Sequence, residues 1–441
     1  MSQSRTATFL LVSALCLSLC AVMTTRCLSA DEWPQWRGPN RDGVWLETGI
    51  IETFPGPQLE LKWRAPVSNG YSGPTVAGGR VYVTDRVTKP AAQERVLCFD
   101  AATGKPLWTH AYECTYSRVG YQDGPRASVT IDDGRAYALG TMGHFRCLDA
   151  ASGSLIWKKD PDTDYEIGLP TWGIASAPLV EGDLVIVQLG ARPDACVVAW
   201  DKRTGEERWR ALADRASYSA PVIVEQAGRR VLVCWTGDHV AGLDPATGNV
   251  HWKHPTPPVE MVINVPTPVA DGGWLFLTSF YDGSYMFRLR RDSLGVELLW
   301  QRRGENESRT DALHSMISTP LILGEYIYGI DSHGEFRCLE AATGDRVWED
   351  LTLMPKVRWG TAHLVRNRDR VWLFNEKGEL VIASLSPKGF HEISRARLIE
   401  PTRGQLSRGS TGVCWSHPAF AYKHVFARND TELVCASLAA E

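Results

Sequence analysis

Apolar and polar positions alternate along this chain in short runs, and tight-turn residues separate the runs. Val81-Tyr82-Val83 and Tyr326-Ile327-Tyr328 are such runs. Turns such as Ala77-Gly78-Gly79, Asp132-Asp133-Gly134 and Tyr281-Asp282-Gly283 lie between them. Period-two alternation bounded by Gly and Asp predicts strands joined as hairpins. Each group of strands opens on a small-x-Pro-x-apolar segment, as in Ser72-Gly73-Pro74-Thr75-Val76, Ser176-Ala177-Pro178-Leu179-Val180 and Ser219-Ala220-Pro221-Val222-Ile223. Proline is tolerated there because the first residues of a strand need no ladder donor.

The third strand of each group runs into a repeated phrase, and the fourth strand completes it. Asp100-Ala-Ala-Thr-Gly104-Lys-Pro-Leu-Trp108 returns from Asp149 to Trp157, from Asp201 to Trp209, from Asp244 to Trp252 and from Glu340 to Trp348. Successive glycines of the phrase lie 43 to 52 residues apart, the length of one four-stranded blade. The acid and the Thr/Ser close the turn on backbone N–H groups, and Gly supplies a positive φ. The Trp presents a large face to the next blade, with its N–H free to bond a turn. Two copies are worn. Asp292 to Gly295 is followed by Trp300 one residue late, and Gly389 is followed by no Trp. The last strands, around Ala419–Phe426 and Glu432–Ser437, lack a fourth member, and Leu59 to Pro66 has the pattern to supply it. The expected fold is all-β: an eight-bladed β-propeller of four-stranded antiparallel blades, its ring closed by an N-terminal strand in the last blade.

The first thirty residues differ from the rest. Arg5 precedes an uncharged run from Thr6 to Thr25, and Leu28-Ser29-Ala30 offers a cleavage point. This reads as a secretory signal peptide, with an uncleaved signal anchor and membrane association as the alternative. The expected organisation is a leader over 1–30, a lead-in segment over 31–58 and the propeller over 59–441. The location is then extracytoplasmic, periplasmic or secreted. Trp33, Trp36 and Trp45 would be expensive to leave exposed, so the lead-in is expected to pack on the ring. A net charge of −4 argues against nucleic acid as a partner. Eight cysteines follow the leader, with no CxxC and no adjacent pair. Cys98, Cys147 and Cys338 share one strand position and read as small buried hydrophobes. A bridge through the loop residue Cys114 stays open.

The phrase is similar to the outer-strand tryptophan-docking repeat of the pyrroloquinoline quinone (PQQ) propeller superfamily. Trp33-Pro-Gln-Trp36-Arg-Gly-Pro-Asn-Arg-Asp-Gly43 resembles the start of secreted bacterial PQQ-like repeat proteins. That superfamily holds quinoprotein dehydrogenases and non-catalytic scaffolds of the BamB type, which help insert outer-membrane proteins. The resemblance implies the fold and is nearly silent on the branch. The dehydrogenases place a vicinal disulfide over the quinone, and use Glu, Asn and Asp for calcium beside an Asp base. Here no two cysteines are adjacent.

Strand order puts the segment before each first strand at one mouth of the channel. Three residues before the first-strand proline, or its equivalent, stand Tyr71, Arg126, Ala175, Tyr218, Val265, Ile317 and Trp415. Slightly upstream lie Trp172, Asn264, His314, Arg358 and Trp359. Such a mouth suits a planar or anionic ligand, through stacking and bidentate contacts, or a peptide. The turns between second and third strands hold Asp85, His144, Asp238, His239, Asp282, Asp331, His333, Glu376 and Asp430, and read as ordinary turn residues. No metal ligand set and no catalytic residue is assigned, and no GxSxG anchors a nucleophile. The leading expectation is a monomeric, non-catalytic module that binds a protein or peptide partner and needs no cofactor. The alternative is a quinoprotein oxidoreductase holding PQQ and Ca²⁺ at the mouth.

Overall fold

The computed structural model describes residues 32–406 and 411–440; the leader lies outside them. Among the described residues no helix is long and apolar enough to cross a membrane. The strands form eight antiparallel sheets arranged as the blades of a propeller. The first blade is Thr75–Ala77, Arg80–Val87, Gln93–Asp100 and Pro106–Glu113. Its two middle strands are packed on both faces, which their near-continuous apolar runs require. Outer strands alternate; in Leu155–Lys159 only Trp157 is buried. One blade carries an extra short strand, Glu166–Ile167, against Leu184–Arg192. The last blade contains Ala419–Ala421, His424–Arg428 and Glu432–Ser437, and Leu61–Pro66 supplies its fourth strand. Trp63 pairs with Cys435 there and Ala65 with Leu433, so the two ends of the chain close the ring in one sheet.

The repeated phrase forms the seam between blades. Within the turn, Asp100 Oδ1 accepts from Thr103 N at 2.8 Å, and Asp149 Oδ1 accepts from Ser152 N at 2.8 Å. The indole of one blade then bonds the turn of the next. Trp63 Nε1 donates to Ala101 O at 2.9 Å, Trp108 to Ala150 O at 3.2 Å, and Trp157 to Lys202 O at 3.2 Å. The rings lie directly over the turn glycines. A Cβ on Gly104 would meet Trp63 at 2.6 Å, and one on Gly153 would meet Trp108 at 2.5 Å. Burying each ring stabilises the ring of blades by roughly 2–3 kcal/mol. All eight cysteines of the described residues are free and buried, Cys114 among them.

Inside the channel, the first strands of the blades turn unpaired backbone groups toward the axis. The lead-in segment satisfies them. Trp33 and Val76 exchange two backbone bonds, at 2.9 and 2.8 Å, and Ile131 N donates to Pro34 O at 2.8 Å. Arg41 reaches across to two further blades. Its Nη1 donates to Ala177 O at 3.2 Å and Pro221 O at 3.0 Å, and its Nη2 donates to Pro178 O. Full burial lowers this guanidinium to about 9, so it remains charged at neutral pH. The segment then returns along the seventh and eighth blades. Trp45 N donates to Arg366 O at 2.8 Å, and Trp45 stands edge-on to Trp372 at 5.4 Å. Trp33 and Trp45 are each 1% exposed. The lead-in therefore threads the channel, leaving a cavity of about 220 Å³ between residues 37–44 and the inner strands Val222–Gln226, Val269–Asp271 and Leu321–Leu323, and the tryptophans of this segment pack on the ring as their composition demands.

Two glycines separate the seam contact from backbone conformation. Gly134 and Gly153 both have positive φ, +70° and +74°, but a Cβ at Gly134 meets nothing within 4 Å. Gly134→Ala is expected to cost about 1 kcal/mol, the left-handed penalty alone. Gly153→Ala must also displace Trp108, and should cost at least about 2 kcal/mol more. Equal urea midpoints for the two variants would contradict the seam.

Candidate functional site: an aromatic cup at the channel mouth

The residues at one mouth are positioned by carboxylates on the adjacent turns. Asp85 Oδ2 accepts from Ser68 N at 2.6 Å, Asp238 Oδ2 from Arg215 N at 2.7 Å, and Asp331 Oδ1 from His314 N at 2.6 Å. In each case the clasped N–H lies three residues before the mouth position, at Tyr71, Tyr218 and Ile317. Asp282 holds Val259 N at 2.8 Å, Glu376 holds Thr361 N at 3.1 Å and Asp430 holds Gly404 N at 2.8 Å. A carboxylate that accepts a backbone N–H fixes the incoming loop without consuming a ladder bond. These turn acids thus act as turn residues, and they also set the shape of the mouth.

The mouth encloses a cavity of about 150 Å³. All seven positions read from the strand register line it, including the small Ala175, Val265 and Ile317, and so do Trp172 and Trp359. Its floor is Trp36 of the lead-in, whose Nε1 donates to Thr267 Oγ1 at 2.8 Å. His417 lies edge-on to that indole at 5.2 Å. Tyr121 reaches over the opening. Its ring stands edge-on to Trp172 at 6.2 Å and to Trp359 at 6.4 Å, and tilted to Trp415 at 6.3 Å. Trp172 packs against Tyr218 at 5.1 Å. The channel is therefore a cup, closed below by its own N-terminal segment.

The cup is electrically quiet. Among the described residues Arg126 is the one charged side chain of its lining, and its guanidinium is bonded to the neighbouring loop. Its Nη1 donates to Gly124 O and to Thr141 Oγ1 at 3.2 Å, and its Nη2 to Gly120 O at 2.9 Å and to Tyr121 O. The guanidinium plane also lies over Tyr71 at 4.9 Å. Arg126 is a strut for the loop that carries Tyr121: its terminal N–H groups are spent on that loop and on Thr141. Burial pushes the Tyr71 phenol up, and the Tyr218 phenol up to about 12, so both stay neutral. Burial likewise holds the His417 imidazole well below its ordinary range; its Nδ1–H donates to Pro418 O at 2.5 Å.

Three sequence-predicted residues do not line the cup. Asn264 is buried in the wall, where its Nδ2 donates to Thr236 O at 2.8 Å. His314 is also buried, with Nδ1 2.9 Å from Phe280 O and Nε2 accepting from Gly304 N at 3.1 Å. Arg358 is exposed on the rim, paired with Glu307 at 2.6 Å and stacked over Trp359 at 4.5 Å. The strand register lost these positions because the loops upstream differ in length and path; Trp359, for one, has φ +68°. The same reasoning missed Tyr121, Trp36 and His417. Tyr121 sits in the long connection after the first blade, again at positive φ, and Trp36 belongs to no repeat. His417 was within reach, since it directly precedes the first-strand Pro418.

Glu376 is the turn acid with the strongest response to its surroundings. Burial raises its carboxyl from 4.5 to about 7, against the opposing bond from Thr361 N. Between those values the folded protein holds a proton that the unfolded chain releases. The contribution is complete below pH 4.5 and is lost as pH rises through 7. Relative to Glu376→Gln, the parent should lose about 3 kcal/mol of stability between pH 4.5 and pH 8. Urea unfolding across that range measures it, and a pH-independent difference would contradict it.

The comparisons agree with this architecture. The family model described as outer membrane protein assembly factor BamB matches residues 58–113 and 92–350, well over half of the chain. BamB of Burkholderia pseudomallei is 27% identical over 222 residues, 49% of this chain and 51% of that protein. The quinohemoprotein alcohol dehydrogenase ADH-IIG of Pseudomonas putida is 28% identical over 206 residues, 42% of this chain and 26% of that protein. The chain spans about a quarter to a half of the length of these relatives. Among solved structures, BamB from Moraxella catarrhalis aligns with TM-score 0.57 at 17% identity, covering 85% of this chain and 98% of that one. A europium-containing methanol dehydrogenase aligns with TM-score 0.64 at 14% identity, covering 91% and 90%. At these identities the structural likeness speaks for the fold. With the eight blades and the repeated seam, the family match places this chain in the PQQ-like propeller family of the BamB type.

Proposed function

We propose that this protein is an extracytoplasmic, non-catalytic propeller that binds a protein or peptide partner at its channel mouth. The observation that carries this reading is the chemistry of the cup: aromatic walls and, among the described residues, no carboxylate or amide in the lining and a single guanidinium already matched to four acceptors. Trp36, Tyr71, Tyr121, Trp172 and Trp359 remain partly exposed around it. A concave aromatic surface of this kind is the usual chemistry of a recognition site. The family match to an outer-membrane assembly factor supports a partner outside the cytoplasm, reached through a cleaved leader or from a retained anchor.

The alternative is a quinoprotein oxidoreductase, favoured by the match to quinohemoprotein alcohol dehydrogenases. The lining residues do not fit that cofactor. PQQ carries three carboxylates, and its calcium needs oxygen ligands from the protein. Among the described residues the cup presents neither free cations nor acid and amide oxygens. Among the described residues, no group of three or more His, Cys, Asp and Glu is placed to hold a metal ion.

Calorimetric titration of the purified protein with PQQ, with and without Ca²⁺, separates the two readings. The binding-module reading expects no saturable heat in either case, and no dye-linked turnover of alcohols or sugars. Ca²⁺-dependent saturation would overturn it.

A further inference from the structure

The cup itself specifies what it receives. We infer that it takes the ring of one aromatic residue, Phe, Tyr or Trp, presented by a partner chain. The inference rests on the binding-module reading and names the chemistry of its site.

Size is the first argument. About 150 Å³ is the volume of a cavity that accepts a benzene-sized ring. A larger ligand would have to leave most of itself outside. Wall chemistry is the second. Trp36 forms the floor, while Tyr71, Trp172, Tyr218 and Trp415 stand around the sides. Rings disposed at several angles offer both faces and edges to an incoming ring, the geometry aromatic pairs prefer. The third argument is charge. The four terminal N–H bonds of Arg126 end on Gly120, Tyr121, Gly124 and Thr141, and among the described residues no carboxylate lines the cavity. A charged group would lose its water there and find no partner.

The protein also supplies a demonstration. Tyr121 already lays a ring across this mouth, in edge-on contact with Trp172 on one side and Trp359 on the other. Two walls that accept one ring edge-on have the spacing and polarity to accept another beneath it. The source follows from the rim. The cup opens beside exposed polar groups, Gln122, Thr171 and the Arg358–Glu307 pair. A chain that buries one ring keeps its backbone at this polar rim. A free aromatic compound with no rest of chain would leave the rim without a role.

The test uses three probes on the purified protein: acetyl-Gly-Phe-Gly-amide, the same peptide with Ala for Phe, and p-cresol. Binding is read by tryptophan fluorescence and calorimetry. The Phe peptide should saturate at least tenfold more tightly than the Ala peptide. Ala175→Trp, which fills the cup, should abolish that binding, and Trp172→Ala, which removes a wall, should weaken it at least tenfold. Thermal melting establishes that each variant is folded. Equal affinity for the Phe and Ala peptides overturns the inference. So does unchanged binding by a folded Ala175→Trp, or by a folded Trp172→Ala. Saturation by p-cresol with none by the Phe peptide overturns the partner-chain source and makes the cup a small-molecule site. These failures are distinct from failure of the binding-module reading, which the titration with PQQ and Ca²⁺ decides.

Discussion

The outer-strand indole resting on the glycine of the next blade's turn, repeated at Gly104, Gly153, Gly205, Gly248 and Gly344, is the contact on which the ring depends. The phrase that encodes it works in both directions. Its glycine receives the tryptophan of the preceding blade, and its own tryptophan reaches forward. Gly104 lies under Trp63, and Trp108 in turn covers Gly153. Only a residue without a Cβ can do this, because the ring atoms come within 2.5–2.7 Å of where that atom would stand at Gly104, Gly153, Gly205 and Gly248. Where the phrase is worn, the bond adapts. Trp252 donates instead to Gln226 Oε1 at 3.0 Å, while Trp348 still reaches the next blade's turn, at Ser386 O, three residues before Gly389, at 2.9 Å. The buried N–H keeps a partner in both cases.

Closing eight blades creates a second constraint at the axis. The innermost strands are short and leave backbone carbonyls facing the channel. Buried carbonyls need donors, and the lead-in provides them with Trp33, Arg41 and Trp45. Threading the channel this way turns a tube into a vessel with a floor. That floor is Trp36, so the same segment that satisfies the axis also decides what the mouth can hold. The turn carboxylates complete the design, since each clasps the loop that delivers a mouth residue. Stability and recognition are therefore built from the same bonds.

Much of this was legible in the sequence because the repeat fixes register. Once the first-strand proline or its equivalent is aligned, the residue three positions earlier falls at the mouth in seven of the eight blades, and all seven such residues line the cup. Leu61–Pro66 was legible as the closing strand because the last blade lacked one. The rest depended on loop paths, which no period encodes. Asn264 and His314 turn into the wall, and Arg358 turns out to Glu307, since their loops are not of equal length. Tyr121 crosses the mouth from a connection outside the repeat. Trp36 was visible as a residue that must be buried, but its place beneath the cup follows only from the way the lead-in threads the channel. The bonds of Arg126 were not legible for a similar reason: three of its acceptors are backbone carbonyls, which sequence does not position.

The central claim is that the mouth is a floored aromatic cup for an uncharged ring. It is tested most directly by the indole N–H resonances of the ¹⁵N-labelled protein during titration with p-cresol. The account predicts shifts confined to Trp36, Trp172, Trp359 and Trp415, with the seam indoles Trp63, Trp108 and Trp157 unmoved. No shift at those four, or shifts spread equally over the seam, would contradict it.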